Sequence, residues 1–476
     1  MASPFPSSTL IECSESKLAE SSNSRNWNEA FQLYSNAITC GNDGLKVEAT
    51  IKLAKMSRHA PENILALTVP LIVGLLESPL NPSILEASAY CLKCLASQGD
   101  GRLAHLIGQS DAIPLLLNLL PNTEGRLQIS LLKCLRNLVT FWDSNSRTVA
   151  SNHGLEIVLR MLNSSSDVKD ILYEILSALA LTREVRRYIL NSRNVYHLVE
   201  AANCGRLISR TRAAQAIGLL GLIKSARPTL VDAGAIPVLV QLLKHGDPSM
   251  KLVAGNALGV IASHIDHINL VAQAGVIPLY VELLQGSDPI GQDIAVDVLC
   301  ILAVNEENAI TIAGHLVELL RGGKDGAKAG AVDVIRDMSN YKHSMSVVEN
   351  AGAIPILVEL LKDENTNVKE RVSGAIAQLS CNKADRVALA NSGAIPILLN
   401  VLLEDEPNEL IDNAVEALVN FSADPSLGEQ ISCISESPLF QNMRYRVLEM
   451  GDSDESWASS SDQTSVCDIP SEPDLC

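Results

Sequence analysis

The sequence predicts an all-α fold in which short helices stack in series as one elongated domain, an α-solenoid. Similar segments recur about every 41 residues along the chain, as in proteins built from stacked repeats. Hydrophobic residues make up 47% of the 476 residues but aromatic residues only 3%, so the core must be aliphatic. The four most similar segments also carry glycine and proline at the positions where one helix ends and the next begins.

Four close copies of a 12-residue segment define the repeat. They begin at Asp232, Gln273, Asn350 and Asn391, and the first reads Asp-Ala-Gly-Ala-Ile-Pro-Val-Leu-Val-Gln-Leu-Leu. A fifth copy, beginning at Ser110, lacks only the glycine. Weaker copies place other residues at the proline position: Pro70, Ile157, His197, Gly314 and Pro438. Successive copies are 36 to 44 residues apart, which predicts about nine to ten repeats. One such unit cannot bury its apolar face alone, so neighbouring units must stack.

Each repeat is predicted to contain three helices. Gly234 ends the first of them, and Pro237 suits the first turn of the second, where a missing N–H costs nothing. A longer third helix is expected over 249–263, and a short helix over 268–274 leads to the next glycine. The repeat that contains Gly314 is five residues short before that glycine, which predicts a truncated first helix there.

The charge is concentrated at one end of the chain. The net charge is −18, and 17 acidic residues but only Arg444 and Arg446 follow residue 400. A binder of nucleic acid needs clustered bases to neutralise phosphates, so this class is disfavoured. We expect a disordered segment over 1–25, the solenoid over 26–450, and a disordered, acidic and serine-rich tail over 451–476.

The repeated motif Gly-Ala-Ile-Pro-x-Leu-Val-x-Leu-Leu, followed by an alanine-rich helix, resembles the armadillo repeat. The copies are most similar to those of plant armadillo and U-box/armadillo proteins, although the roughly 25 residues before the array are too few for a U-box. The resemblance implies a right-handed superhelix whose third helices line a concave groove for a protein partner. It specifies a fold and a style of binding rather than a ligand.

The resemblance also locates candidate groove residues. Importin-α-type receptors hold a ladder of Asn in the groove, with Trp four residues earlier, and here these positions retain two Asn and no Trp. A nuclear transport receptor is therefore the less favoured function. The candidate partner-binding residues are Tyr90, Lys133, Arg136, Asn137, Gln215, Asn256, Asp297, Asp333, Asp337, Gln378, Glu416 and Asn420. Their charges suit an extended partner that is acidic at one end and basic at the other; the alternative is an ordinary solvated face.

A basic patch lies in the middle of the chain and could attract the acidic tail. The patch consists of Arg183, Arg186, Arg187, Arg193, Arg206, Arg210 and Arg212. The tail has seven acidic residues and no base, and Ser459 and Ser465 each precede an acidic residue by three positions, as acidophilic kinases prefer. Phosphorylation there would add negative charge. Intramolecular docking of the tail is one interpretation, and a merely solubilising tail is the other.

Motifs for chemistry are weak. Cys91 and Cys94 share a helix without a second pair of ligands, and His264 and His267 have no further ligands nearby in sequence. No signal peptide or membrane-spanning segment is recognised, so we expect a cytoplasmic or nuclear protein without cofactor or enzymatic activity. The favoured function is a protein-binding scaffold. The alternative is a substrate-presenting adaptor of a ubiquitin ligase, which co-purification of ligase subunits would indicate.

Overall fold

A computed structural model describes residues 27–77, 81–98, 101–164, 167–191, 194–341, 344–402 and 408–427, with 431, 440 and 441. The segments 1–25 and 451–476, which the sequence predicts to be disordered, lie outside these residues. Arg193, Ser459 and Ser465 lie outside them as well. The described residues form 27 α-helices and no β-strand, which confirms the all-α fold.

The chain divides into two compact units, Met1–Ala216 and Ile217–Cys476, called unit 1 and unit 2. The helices of unit 1 are α1 (Trp27–Cys40), α2 (Asp43–Met56), α3 (Glu62–Leu76), α4 (Pro82–Ala96), α5 (Arg102–Gln109), α6 (Ala112–Leu119), α7 (Gly125–Phe141), α8 (Asp143–Ser151), α9 (Gly154–Ser164), α10 (Lys169–Leu179), α11 (Arg183–Asn191) and α12 (Val195–Cys204). The boundary between the units falls in α13 (Leu207–Gly221). The helices of unit 2 are α14 (Arg227–Asp232), α15 (Ala235–His245), α16 (Pro248–Ala262), α17 (Ile265–Gln273), α18 (Ile277–Leu284), α19 (Pro289–Leu302), α20 (Glu306–Gly322), α21 (Asp325–Met338), α22 (Ser344–Asn350), α23 (Ala353–Leu360), α24 (Thr366–Ser380), α25 (Lys383–Asn391), α26 (Ala394–Val401) and α27 (Asn408–Ser422).

The third helices of successive repeats pack against one another within each unit. In unit 1 the order is α2, α4, α7 and α10, and in unit 2 it is α16, α19, α21, α24 and α27. The core between the helices is aliphatic, with fully buried side chains such as Leu92, Leu95 and Leu258. Burial of these side chains against the neighbouring repeat is the main source of stability in a stacked array.

A left-handed residue separates the first helix from the second in several repeats. Gly234 has φ 83° directly before α15, a conformation that costs glycine little and other residues more. In the copy without glycine, Asp111 adopts φ 56° before α6. His153 takes the same role before α9, with φ 59°. The register there is therefore shifted by one residue from the one that aligned Ile157 with proline.

Two repeats lack this break, and their first and second helices are fused. Helix α3 runs through Pro70 and α20 runs through Gly314, where the repeat register predicts a new helix. The residues at the glycine position are Leu67 and Thr311, which favour continuation in the right-handed region. The prediction of a separate, truncated first helix before Gly314 is therefore wrong.

Several third helices end against a side-chain donor from the first helix of the next repeat. The last carbonyls of a helix have no partner within it, and a cation is favoured at this end. The hydrogen bonds run from Asn145 to the Leu138 carbonyl (3.0 Å), Arg186 to Leu181 (2.6 Å), Arg227 to Gly221 (2.7 Å), Asn308 to Leu302 (3.1 Å) and Arg386 to Cys381 (3.4 Å). Each of these five bonds connects a repeat to the one before it.

Glycines on α13 and α16 allow neighbouring third helices to approach closely. A Cβ atom added at Gly218 would lie 3.2 Å from the Cβ of Ala257, and one at Gly259 would lie 2.5 Å from Val298 Cγ2. At Gly255 the nearest atoms would be 3.5 Å away, an ordinary contact distance.

These distances predict opposite effects for two similar substitutions. Gly259→Ala is expected to lower the free energy of unfolding by about 1–3 kcal/mol, because the methyl group overpacks the contact with Val298. Gly255→Ala is the matched control and is expected to be neutral or stabilising by up to about 1 kcal/mol, because alanine favours the helix. Urea denaturation measures both variants. Equal stability of the two would contradict the packing argument.

Candidate functional site

The candidate site is the exposed face of the third helices, considered separately in the two units. The structure sorts the predicted residues on this face into two groups. Some are held by hydrogen bonds or ion pairs to a neighbouring repeat, and the others are exposed or half-buried without such a bond to any residue that the structure describes.

In unit 1 two of the predicted residues are engaged within the fold. The Asn137 amide nitrogen donates to the Lys93 carbonyl on α4 at 3.0 Å, and Asn137 Oδ1 accepts from both Nε and Nη2 of Arg136. Tyr90 is 36% exposed and lies under the Lys93 ammonium, 4.3 Å from the ring centre. Lys133 is half-buried on α7. The Asn137 side chain thus connects two third helices.

Gln215 and Asn256 are exposed on α13 and α16. They bring no charge to the face, but their amide groups can bond to the backbone of an extended segment. They belong to different units, and each is a candidate contact for its own unit.

In unit 2 three of the predicted residues bond to a neighbouring repeat. Asp333 on α21 forms ion pairs with Arg336 and with Arg371 of α24. The Gln378 side chain donates to Asn340 at 2.9 Å, and Asn420 donates to Ser380 Oγ at 2.9 Å. Arg371 and Asn340 were not among the sequence candidates, although Arg371 lies close to one repeat length beyond Asp333.

The other carboxylates on this face of unit 2 lack a cation. Asp293 and Asp297 lie one turn apart on α19, and Asp337 lies on α21. In the part of the chain that the structure describes, none of them forms an ion pair. Burial and the charges of Asp293 and Asp337 raise the pKa of Asp297. Asp293, Asp297 and Asp337 together are called the acidic cluster. Asp293 was not among the sequence candidates, although it lies four residues, about one helical turn, before Asp297.

Glu416 lies further along unit 2, on α27, and is half-buried. Burial raises the pKa of its carboxyl group, because the charged form loses hydration. A cation from a partner would relieve that cost, so Glu416 remains a candidate contact.

The basic patch is less available than the sequence suggests. Three of its arginines donate to main-chain carbonyls: Arg186 to Leu181, Arg210 Nε to Ala202 at 3.1 Å, and Arg212 Nη2 to Thr140 at 3.2 Å. Arg183, Arg187 and Arg206 are exposed. The gathering of bases near the start of α13 thus has a structural reason, since Arg210 and Arg212 cap the ends of α12 and α7.

Two of the four residues considered for chemistry, Cys91 and His267, are buried. Cys91 is fully buried on α4, and burial raises the pKa of its thiol. In the described ranges no group of three or more His, Cys, Asp or Glu is placed to hold a metal ion. Over the same residues no single helix is long and apolar enough to span a membrane, although three sharply bent helix pairs reach that length and composition together.

Comparisons with known proteins agree with this architecture. The profile of the armadillo/β-catenin-like repeat matches residues 225–263 and 340–381. The chain contains armadillo repeats. No curated protein sequence matches it significantly. The described helices extend the armadillo arrangement well beyond the two matched segments.

Two solved structures share the armadillo fold of this chain. An engineered protein from a structural genomics consortium aligns with a TM-score of 0.64 at 23% identity, over 82% of this chain and 98% of its own. A structure from work on a phosphorylation switch that controls the interaction between cadherin and β-catenin aligns with a TM-score of 0.62 at 16% identity, over 87% of each chain. At these identities the likeness establishes the fold alone.

Proposed function

We propose that the protein is a non-enzymatic scaffold that binds an extended segment of a protein partner on the exposed face of its third helices. The acidic cluster of unit 2 carries this proposal. Neighbouring carboxylates repel one another, which makes their ionised forms less favourable, and a bound cation relieves this repulsion. A lysine or arginine side chain of the partner supplies that cation.

The fold supports binding of a protein rather than a small molecule. Stacked third helices present a long row of side chains, and Asp333, Gln378 and Asn420 fix the spacing of these helices through bonds between repeats. β-Catenin, which has a similar fold, interacts with cadherin. Preorganised rows of this kind suit an extended chain, since little of the scaffold must reorder on binding.

Titration of the full-length protein with a fluorescent 12-residue peptide of alternating lysine and serine tests this function. Asp297→Asn is expected to weaken binding about three- to tenfold, because it removes a central charge of the acidic cluster. Acidification should also weaken binding, starting above the usual range for aspartate, because the raised pKa of Asp297 lets it take up a proton early.

Asp232→Asn is the matched control, since Asp232 is an exposed aspartate at the end of α14, a first helix. The control should bind the peptide as the wild type does. If both variants weaken binding equally, the peptide responds to net charge and the proposed site is wrong.

The acidic segment 451–476 is the regulatory part of the proposal. It has seven acidic residues and no base, so it competes with acidic stretches of a partner for the arginines of unit 1. Titration of the full-length protein with a peptide of this sequence tests this part.

A further inference from the structure

One carboxylate in unit 1 lies among three arginines. Glu174 on α10 has Oε2 3.5 Å from Nη1 of Arg136 on α7, and its Oε1 is 3.4 Å from Nε of Arg206, which directly precedes α13. Its charge also acts on Arg212 of α13. Asp143 of α8 adds a second negative charge near Arg212, so three positive charges share two negative charges on the third-helix face. Arg136, Arg206 and Arg212 with Glu174 are called the arginine cluster.

Glu174 does not satisfy the hydrogen-bonding capacity of the arginine cluster. Its Oε1 is buried and accepts no hydrogen bond, so its contact with Arg206 is an ion pair without directional bonding. The Arg206 side chain is 64% exposed, and the described residues provide no other partner for it. Buried arginines and carboxylates are best satisfied by paired, short N–H···O bonds, and the cluster lacks them.

The other two arginines are held in place by neutral acceptors. Arg136 donates Nε and Nη2 to Asn137 Oδ1 at 3.1 and 2.9 Å, and Arg212 donates to the carbonyl of Thr140. These bonds orient the guanidinium groups without neutralising them. A ligand that adds negative charge therefore meets donors that are already positioned, which lowers the ordering cost of binding.

We infer that the arginine cluster is a subsite for an anionic side chain of a bound protein segment, either a carboxylate or a phosphorylated serine. This inference rests on the proposed function and names the chemistry of the partner at unit 1. The anion binds beside Glu174 and gains hydrogen bonds from the exposed fork of Arg206, with the charges of Arg136 and Arg212 behind it. Arginine suits this task because its planar fork matches carboxylate and phosphate oxygens.

Residues 451–476 of the chain have the chemistry of such a ligand. They contain seven acidic residues and no base, and Ser459 and Ser465 each lie three positions before an acidic residue. A phosphoserine carries nearly two negative charges and three acceptor oxygens, so it is the stronger of the two ligand forms. The exposed Arg183 and Arg187 on α11 offer charge without the arrangement around Glu174.

The test is fluorescence-anisotropy titration of the full-length protein with a labelled peptide of residues 451–476, unmodified and phosphorylated at both serines. Arg206→Glu is expected to weaken binding by about tenfold or more, and Arg187→Glu, the matched control, by no more than about twofold. Glu174→Gln is expected to tighten binding about three- to tenfold, because it removes the competing carboxylate. Tighter binding of the phosphorylated peptide would identify phosphate as the preferred group, and equal binding would identify carboxylates.

Two results would overturn the inference. One is absence of binding of both peptides to the wild-type protein and to a variant that lacks residues 451–476, in which the chain's own acidic segment cannot compete. The other is equal weakening by Arg206→Glu and Arg187→Glu, which would mean that the peptide senses overall charge. Neither result would affect the lysine-peptide titration at the acidic cluster of unit 2, so failure of this subsite is distinguishable from failure of the proposed function.

Discussion

Replacement of Arg227 with alanine is expected to lower the free energy of unfolding by about 2–4 kcal/mol. The side chain is buried, and its Nε donates to the carbonyl of Gly221 at the end of α13 at 2.7 Å. Loss of this donor leaves a buried carbonyl unsatisfied, removes a cation from a helix C-terminus and opens a cavity. Burial lowers the pKa of Arg227, but an arginine stays charged at any pH at which proteins fold.

Hydrogen exchange locates this effect. Amides at the end of α13 and in α14 should exchange faster in Arg227→Ala, because local opening becomes less costly there. Lys224→Ala removes an exposed base three residues earlier and should change stability by no more than about 0.5 kcal/mol. An Arg227→Ala variant as stable as Lys224→Ala would contradict the capping role.

Replacement of Asp385 with asparagine is expected to stabilise the protein by about 2 kcal/mol at pH 7. Asp385 on α25 is 1% exposed, and its Oδ1 accepts no hydrogen bond. Burial, with a contribution from the charge of Glu349, raises the pKa of its carboxyl group from 3.8 to about 6. Such a shift corresponds to about 3 kcal/mol, and the lost attraction between the carboxylate and the start of α25 offsets up to about 1 kcal/mol.

The raised pKa of Asp385 also predicts how the stability of the protein changes with pH. The folded chain holds the proton of Asp385 more tightly than the unfolded chain, because the folded pKa is the higher one. The destabilising contribution is therefore absent below about pH 4, grows as the pH rises toward 6, and is complete above it. Asp385→Asn should remove this slope from urea denaturation measured between pH 4 and 7.5, whereas Asp412→Asn, at an exposed position of α27, should leave it unchanged. Persistence of the slope in Asp385→Asn would assign it to another group.

Most of the fold can be predicted from the sequence because glycine and proline mark many of the helix boundaries. Gly234 and Pro237 mark the start of α15 within two residues, and the predicted third helix 249–263 is one residue displaced from the observed Pro248–Ala262. The predicted helix boundaries are wrong where no residue favours a break between the first and second helices. At Thr311 similarity of spacing suggested a helix break, but no residue there favours the left-handed conformation, so α20 continues through it.

The site was harder to predict, because its residues interact across one repeat length. Asn137 and Asp333 look like groove residues on their own helices, yet their partners are 44 and 38 residues away in the chain. Periodicity identifies the face on which a side chain lies, and it does not reveal whether the next helix satisfies it. Glu174 was not among the sequence candidates, and only the structure shows that Arg136 and Arg206 share it.

Side chains that donate hydrogen bonds to the ends of the third helices affect how such a chain can gain or lose repeats during evolution. Arg186, Arg227, Asn308 and Arg386 occupy equivalent places early in their repeats, each reaching back to the end of the preceding third helix. A deletion or duplication of one whole period between two repeats that both carry such a donor therefore joins a helix end to a first helix that can still donate to it. A change by a fraction of a period leaves the carbonyls unpaired. Arrays of this kind can change in length by recombination without losing the hydrogen bonds at their joints.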